Sequence, residues 1–153
     1  MKLRAKAQIA LHFFVGLGAV AGGLAVIFNP IDPLGAPLHL LDGSPFHSYF
    51  LIGIFLAGVI GGGNLTSSIL VWKFPIVGNI ASLGMGIVLV LWIMIQCIII
   101  KSIIALHIIF FLIGLVQSIW AFLTLRKTTS LTHNPNAATA DPIVGESSIR
   151  TKR

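Results

Sequence analysis

Four long stretches of this chain carry no charged residue and are dominated by apolar side chains: residues 7–28, 46–72, 76–100 and 103–125. Each holds 22 residues or more. About 20 residues cross a hydrocarbon layer of ~30 Å in helical form. Helices also satisfy their own backbone groups in lipid, so each run predicts one transmembrane helix. The runs are continuously apolar and lack the in/out alternation of barrel strands, which argues against a transmembrane β-barrel.

Short polar interruptions set the boundaries. Asn29-Pro30 ends the first run, because proline cannot continue a helical ladder. Ser44-Pro45 is expected to open the second, serine as a cap and proline at the first helical position. Lys73-Phe74-Pro75 and Lys101-Ser102 leave room only for tight turns, with Ser102 a candidate cap. Connections this short force antiparallel neighbours, so the expected fold is all-α, an antiparallel transmembrane four-helix bundle over residues 1–127. Residues 128–153 are rich in Ser, Thr, Asn and Ala without hydrophobic period and read as a disordered tail.

Composition agrees with the pattern. Hydrophobic residues make up 56% of the 153, charged residues only 9%, and mean hydropathy is +1.00. A soluble domain of this size exposes too much of its surface to tolerate such a balance. The net charge of +6 forms no long basic stripe of the kind that binds nucleic acid, and no nucleic-acid partner is expected. Lys2, Arg4, Lys6, Lys73, Arg126, Lys127, Arg150, Lys152 and Arg153 fall on one side of the predicted topology, and Lys101 on the other. The positive-inside rule then places both termini in the cytoplasm and the 30–47 loop outside. Trp72, Trp120 and Tyr49 lie near the predicted interfaces, as aromatic anchors do. The N-terminus also resembles a cleavable secretory signal, with Ala19-Val20-Ala21 as the cleavage site. The apolar run continues through Phe28, longer than a signal core, so a retained helix is expected.

The interior chemistry is sparse. No Asp or Glu lies in any run, which argues against proton relays and most ion-coupled pumps. No GxSxG, HExxH or paired acids are present, so no catalytic residue is assigned and no enzymatic activity is expected. Cys97 is the sole cysteine, which leaves no disulfide or CxxC pair. His12 falls near the cytoplasmic end of the first run and His107 near the outer end of the fourth, too far apart in depth to clamp one haem. His39, His47, His107, Asp32 and Asp42 all lie on the outer side, but their spacing matches no metal signature. No cofactor or metal is expected.

Small residues four apart, Gly18/Gly22, Gly58/Gly62, Gly78/Ser82/Gly86 and Gly114/Ser118, predict close helix crossings. Gly61-Gly62-Gly63-Asn64 predicts either a tight crossing or a broken helix with exposed carbonyls. Among neutral polar residues, Asn64 and Asn79 are expected to meet across the second hairpin. Trp92, Gln96 and Gln117 are the candidate lining of a small polar cavity. Amides in lipid usually hydrogen-bond between helices, so a packing role competes with that of a site.

The segment Leu41-Asp42-Gly43-Ser44-Pro45-Phe46, the Lys73-Phe74-Pro75 hairpin and Leu91-Trp92-Ile93-Met94-Ile95-Gln96 resemble a group of small bacterial four-helix membrane proteins of unknown function. The resemblance covers roughly residues 5–127. It implies a bacterial inner membrane and supplies no activity or site residue. The reading that follows is a non-enzymatic accessory or interaction subunit whose partners are the lipid bilayer and a second copy or another membrane protein. The alternatives are a small-solute transporter or channel component, and an outer-face metal-binding protein or enzyme.

Overall fold

A computed structural model describes residues 3–101 and 103–133. Four helices run up and down: α1 (Leu3–Phe28), α2 (Phe50–Lys73), α3 (Pro75–Ile100) and α4 (Ala105–His133). No strand occurs among the described residues. The membrane-length parts hold 26, 24, 26 and 24 residues. Even 24 residues span about 36 Å, more than a ~30 Å hydrocarbon layer. The surface confirms the medium. Phe13, Phe14, Ile87, Leu91, Leu112 and Leu123 face outward, whereas Gln8, His12, Asn64, Ser67, Asn79, Ser82 and Gln117 are buried. Apolar outside and polar inside is the arrangement lipid favours, and the chain is an all-α, multi-pass membrane protein.

The helix limits depart from the apolar runs where charge and proline intervene. α1 starts at Leu3 and carries Arg4 and Lys6 within its first two turns. Basic side chains at a helix end reach to the interface by their long stems. The second helix begins at Phe50, later than the expected 46. Ser44 does not cap it: its Oγ accepts the Phe46 N–H at 3.2 Å inside the loop. Phe74 makes the α2–α3 turn with φ −134° and ψ 80°, and Pro75 opens α3. Lys101 ends α3 in the left-handed region at φ 53°. Ser102 lies outside the described residues. α4 continues to His133, past the end of the fourth apolar run, and the rest of the expected tail, 134–153, lies outside the described residues.

Between α1 and α2, the loop expected on the outer side folds into two short 3-10 turns, Pro33–Gly35 and Leu38–Leu41. Tyr49 secures it, donating its N–H to Pro30 O at 2.9 Å and its hydroxyl to Pro37 O at 3.2 Å. Burial, helped by the nearby Asp32 charge, pushes the Tyr49 phenol above its ordinary pKa, which keeps that donor protonated. Leu41 and Tyr49 join the apolar core, so the loop caps the outer end of the bundle.

Glycines set the helix spacing. A Cβ on Gly23 would lie 2.6 Å from Ala57 N, and one on Gly61 2.6 Å from Val20 Cγ2, so α1 and α2 touch almost backbone to backbone. Gly78 is pressed in the same way onto Val71 of α2, and Gly86 onto Gly114 and Ser118 of α4. The expected stripes Gly78/Ser82/Gly86 and Gly114/Ser118 therefore do pack. Gly18, Gly58 and Gly62 instead have no atom within 4 Å of a Cβ position, and Gly22 has only Leu56 at 3.7 Å. The crossing of α1 and α2 uses Gly16, Gly23, Gly53 and Gly61, one face round from the expected stripes.

The triple glycine neither breaks α2 nor leaves it regular. Leu56–Gly62 is a π-helical stretch, after which ordinary helix resumes at Gly63. Gly61 within it packs on α1, so tight crossing and widened turn occur together.

Each helix packs against the next along the chain, α1 on α2, α2 on α3 and α3 on α4. The fourth side, between α1 and α4, meets at only a few points. The bundle is thus closed on three sides. Gly86→Ala should destabilise the protein by about 1–3 kcal/mol, because its methyl would meet Gly114 O at 2.8 Å. Gly84→Ala on the same helix, with open space at its Cβ, should be neutral or stabilising. Thermal unfolding of the two variants in one detergent checks the contrast.

Candidate functional site

The polar side chains inside the bundle form two layers in its basic half. The deeper layer is built on Asn64. Its Nδ2 donates to Ile60 O at 2.8 Å, a carbonyl of the π-helical stretch, and this fixes Oδ1 as the outward-turned acceptor. That oxygen receives Nε2 of Gln117 at 3.0 Å and lies 2.7 Å from Nδ1 of His12. So short a contact requires the proton on Nδ1, which donates to Asn64. Gln117 Nε2 also approaches His12 Nδ1, at 3.1 Å, but two donors cannot bond each other, and its proton goes to Asn64. One amide oxygen thereby joins α1, α2 and α4. His12 and Asn64 are 0% exposed and Gln117 1%, so no part of this knot meets solvent or lipid.

Nearer the basic end, Gln8 Nε2 donates to Asn79 Oδ1 at 3.1 Å, and Asn79 Nδ2 donates to Pro75 O at 2.6 Å. Ser68 Oγ donates to Ile9 O at 3.3 Å. Gln8 and His12 are one helical turn apart on α1, so α1 supplies one partner to each layer. Three acceptors in this half, His12 Nε2, Gln117 Oε1 and Ser82 Oγ, make no hydrogen bond within the protein.

Beyond the knot, the half of the bundle away from the basic end holds an apolar cleft of about 170 Å³, called the outer cleft after the expected topology. Val15, Ile60 and Leu89 form its floor, and Gly18 and Leu106 are exposed residues on its two sides, from α1 and α4. Trp92 lines its wall, stacked on Phe55 with ring centroids 4.3 Å apart, and its buried Nε1 makes no hydrogen bond. Gln96 and His107 add the other polar side chains. His107 Nδ1 accepts the Ile104 N–H at 3.4 Å.

The five candidate residues therefore divide. Asn64 and Gln117 meet in the knot, Trp92 and Gln96 line the outer cleft, and Asn79 pairs with Gln8 in a separate layer. Asn64 and Asn79 share no hydrogen bond, because they sit about 13 Å and about 6 Å from the α2–α3 turn at 1.5 Å per residue. His12 and Gln8 are the residues sequence reasoning missed. Sequence reasoning weighed His12 only as a haem ligand; the signal for both is their spacing of one turn, continued by Val15 and Ala19 along the buried face of α1. On the outer face, no group of three or more His, Cys, Asp or Glu residues comes together among the described residues, so the outer histidines and aspartates do not converge there.

Neither a family model, nor a curated protein, nor a solved structure matches this chain.

The knot makes a quantitative claim. Asn64→Leu removes the acceptor shared by His12 and Gln117 and strands the buried His12 N–H, and should destabilise the bundle by about 1–3 kcal/mol. Asn79→Leu loses only the Gln8 pair and its local backbone bond and should cost about 0.6–1.5 kcal/mol. Unfolding in mixed micelles ranks the two.

Proposed function

We propose that this chain is a non-enzymatic accessory or interaction subunit of a bacterial cytoplasmic membrane, and that the open α1–α4 seam is its docking face. The observation that carries this reading is the outer cleft in that seam. Gly18 is exposed there with nothing within 4 Å of its Cβ position, and Gly22 is nearly as open. Small residues four apart let a second helix approach closely, and packing of this kind drives helix association in lipid. The occupant is a transmembrane helix of a partner or of a second copy. The internal polar groups support the same reading. They are engaged chiefly with one another across helices, which accounts for them as packing contacts within the bundle.

A photoreactive residue at position 18 should crosslink to a membrane protein or to a second copy in intact cells. The same probe at position 84, equally open on α3, should give little adduct. Equal yields at both positions would remove the docking face.

Orientation follows from the basic residues. Among the described residues, Arg4, Lys6, Lys73, Arg126 and Lys127 gather at one end of the bundle and Lys101 lies at the other. We place the basic end in the cytoplasm. In a Cys97→Ala background, Lys101→Cys should react with an impermeant maleimide added outside intact cells. Reaction only after lysis would reverse the topology.

A second reading, a small-solute transporter or channel component, draws on the π-helical stretch beside the knot, since widened turns recur at functional sites. Vesicle flux abolished by Asn64→Leu in a variant that remains folded would select it over docking.

A further inference from the structure

The α1–α4 seam also opens on the other side of the knot. There, a groove of about 360 Å³ runs along α4 past Val116, Ile119, Trp120 and Leu123, and ends between Arg4 of α1 and Lys127 of α4. We infer that this groove binds an anionic phospholipid from the bilayer, its phosphate between Arg4 and Lys127 and one acyl chain along α4. Three observations converge on this occupant. First, the groove is apolar along its length apart from Thr124, whose hydroxyl is bonded to Trp120 O, and it is basic only at one end, the polarity of a phospholipid. Second, from Val116 to Lys127 it is about 16 Å deep at 1.5 Å per residue. That depth equals one leaflet of a ~30 Å hydrocarbon layer, so a chain anchored at the phosphate reaches the knot and no further. Third, charge favours it. Among the described residues the carboxylates are Asp32 and Asp42, both in the outer loop at the opposite end of the bundle. Neither side chain lies near enough to Arg4 or Lys127 to neutralise it, and basic side chains at the headgroup level attract anionic lipid. The site stands apart from the outer cleft, with the knot between them.

Native mass spectrometry of the full-length protein, released from mixed micelles of phosphatidylglycerol and phosphatidylcholine, tests the inference. Phosphatidylglycerol should be retained in preference to phosphatidylcholine. Arg4→Gln and Lys127→Gln should each reduce that retention roughly fivefold, the effect expected for one interfacial cation. Leu123→Trp, which fills the groove without changing charge, should reduce it as well. Lys73→Gln, at the same end but outside the groove, should leave it unchanged. Equal retention of the two lipids would overturn the inference, as would an equal loss in Lys73→Gln, which would mean diffuse surface charge. Competition by soluble glycerol phosphate would reduce the site to an anion site, and a dimer without lipid would show that a second copy fills the groove. Either result also refutes it.

Discussion

The amide oxygen of Asn64 is the point on which this fold depends. Lipid supplies no hydrophobic drive between helices, so the bundle is held by close backbone packing and by hydrogen bonds that have no competitor in the hydrocarbon. Packing along glycine-lined crossings joins each helix to the next in sequence. It does little between α1 and α4, which touch at few places. The tie between those two helices runs through Gln117, His12 and Asn64, and both of its hydrogen bonds end on the one oxygen. The orientation of that oxygen is set in turn by the Ile60 carbonyl. The π-helical stretch therefore matters for position more than for flexibility, since it presents the carbonyl that aims Asn64.

This arrangement divides the α1–α4 seam into two openings of different character. The outer one is apolar, bordered by small residues, and holds an indole N–H without a partner. The inner one is a furrow along α4 that ends in two cations. A bundle packed equally on all four sides would have neither. The polar knot thus has two effects: it prevents α1 and α4 from separating, and it prevents either opening from extending across the membrane.

Much of the architecture was legible in the sequence because it follows from quantities that sequence carries directly. Uncharged runs of membrane length gave four helices, and Phe74-Pro75 gave a turn too short for anything but an antiparallel hairpin. The pairing of polar residues was not legible, for a reason of depth. A run's pattern does not show which residues of other helices stand at the same level, so His12, about 13 Å from the start of α1, was not matched to Asn64 and Gln117. Helix rotation was equally hidden. Gly18/Gly22 and Gly16/Gly23 are both plausible crossing faces, and only contact with α2 shows that the second is used. Trp92 and Gln96, one turn apart, line one cleft, whereas Gln117 bonds to Asn64 in the knot.

The knot also has a place in time. His12 and Gln117 are 105 residues apart in the chain and lie in α1 and α4, so α1 is made well before α4. α1, α2 and α3 can pair in order as each is made, each finding its neighbour already in the bilayer. His12 meets Asn64 early, but the amide oxygen receives its second donor only when α4 arrives. Completion of the knot therefore marks the arrival of α4, and a chain stalled before Gln117 keeps an under-bonded polar oxygen inside the membrane.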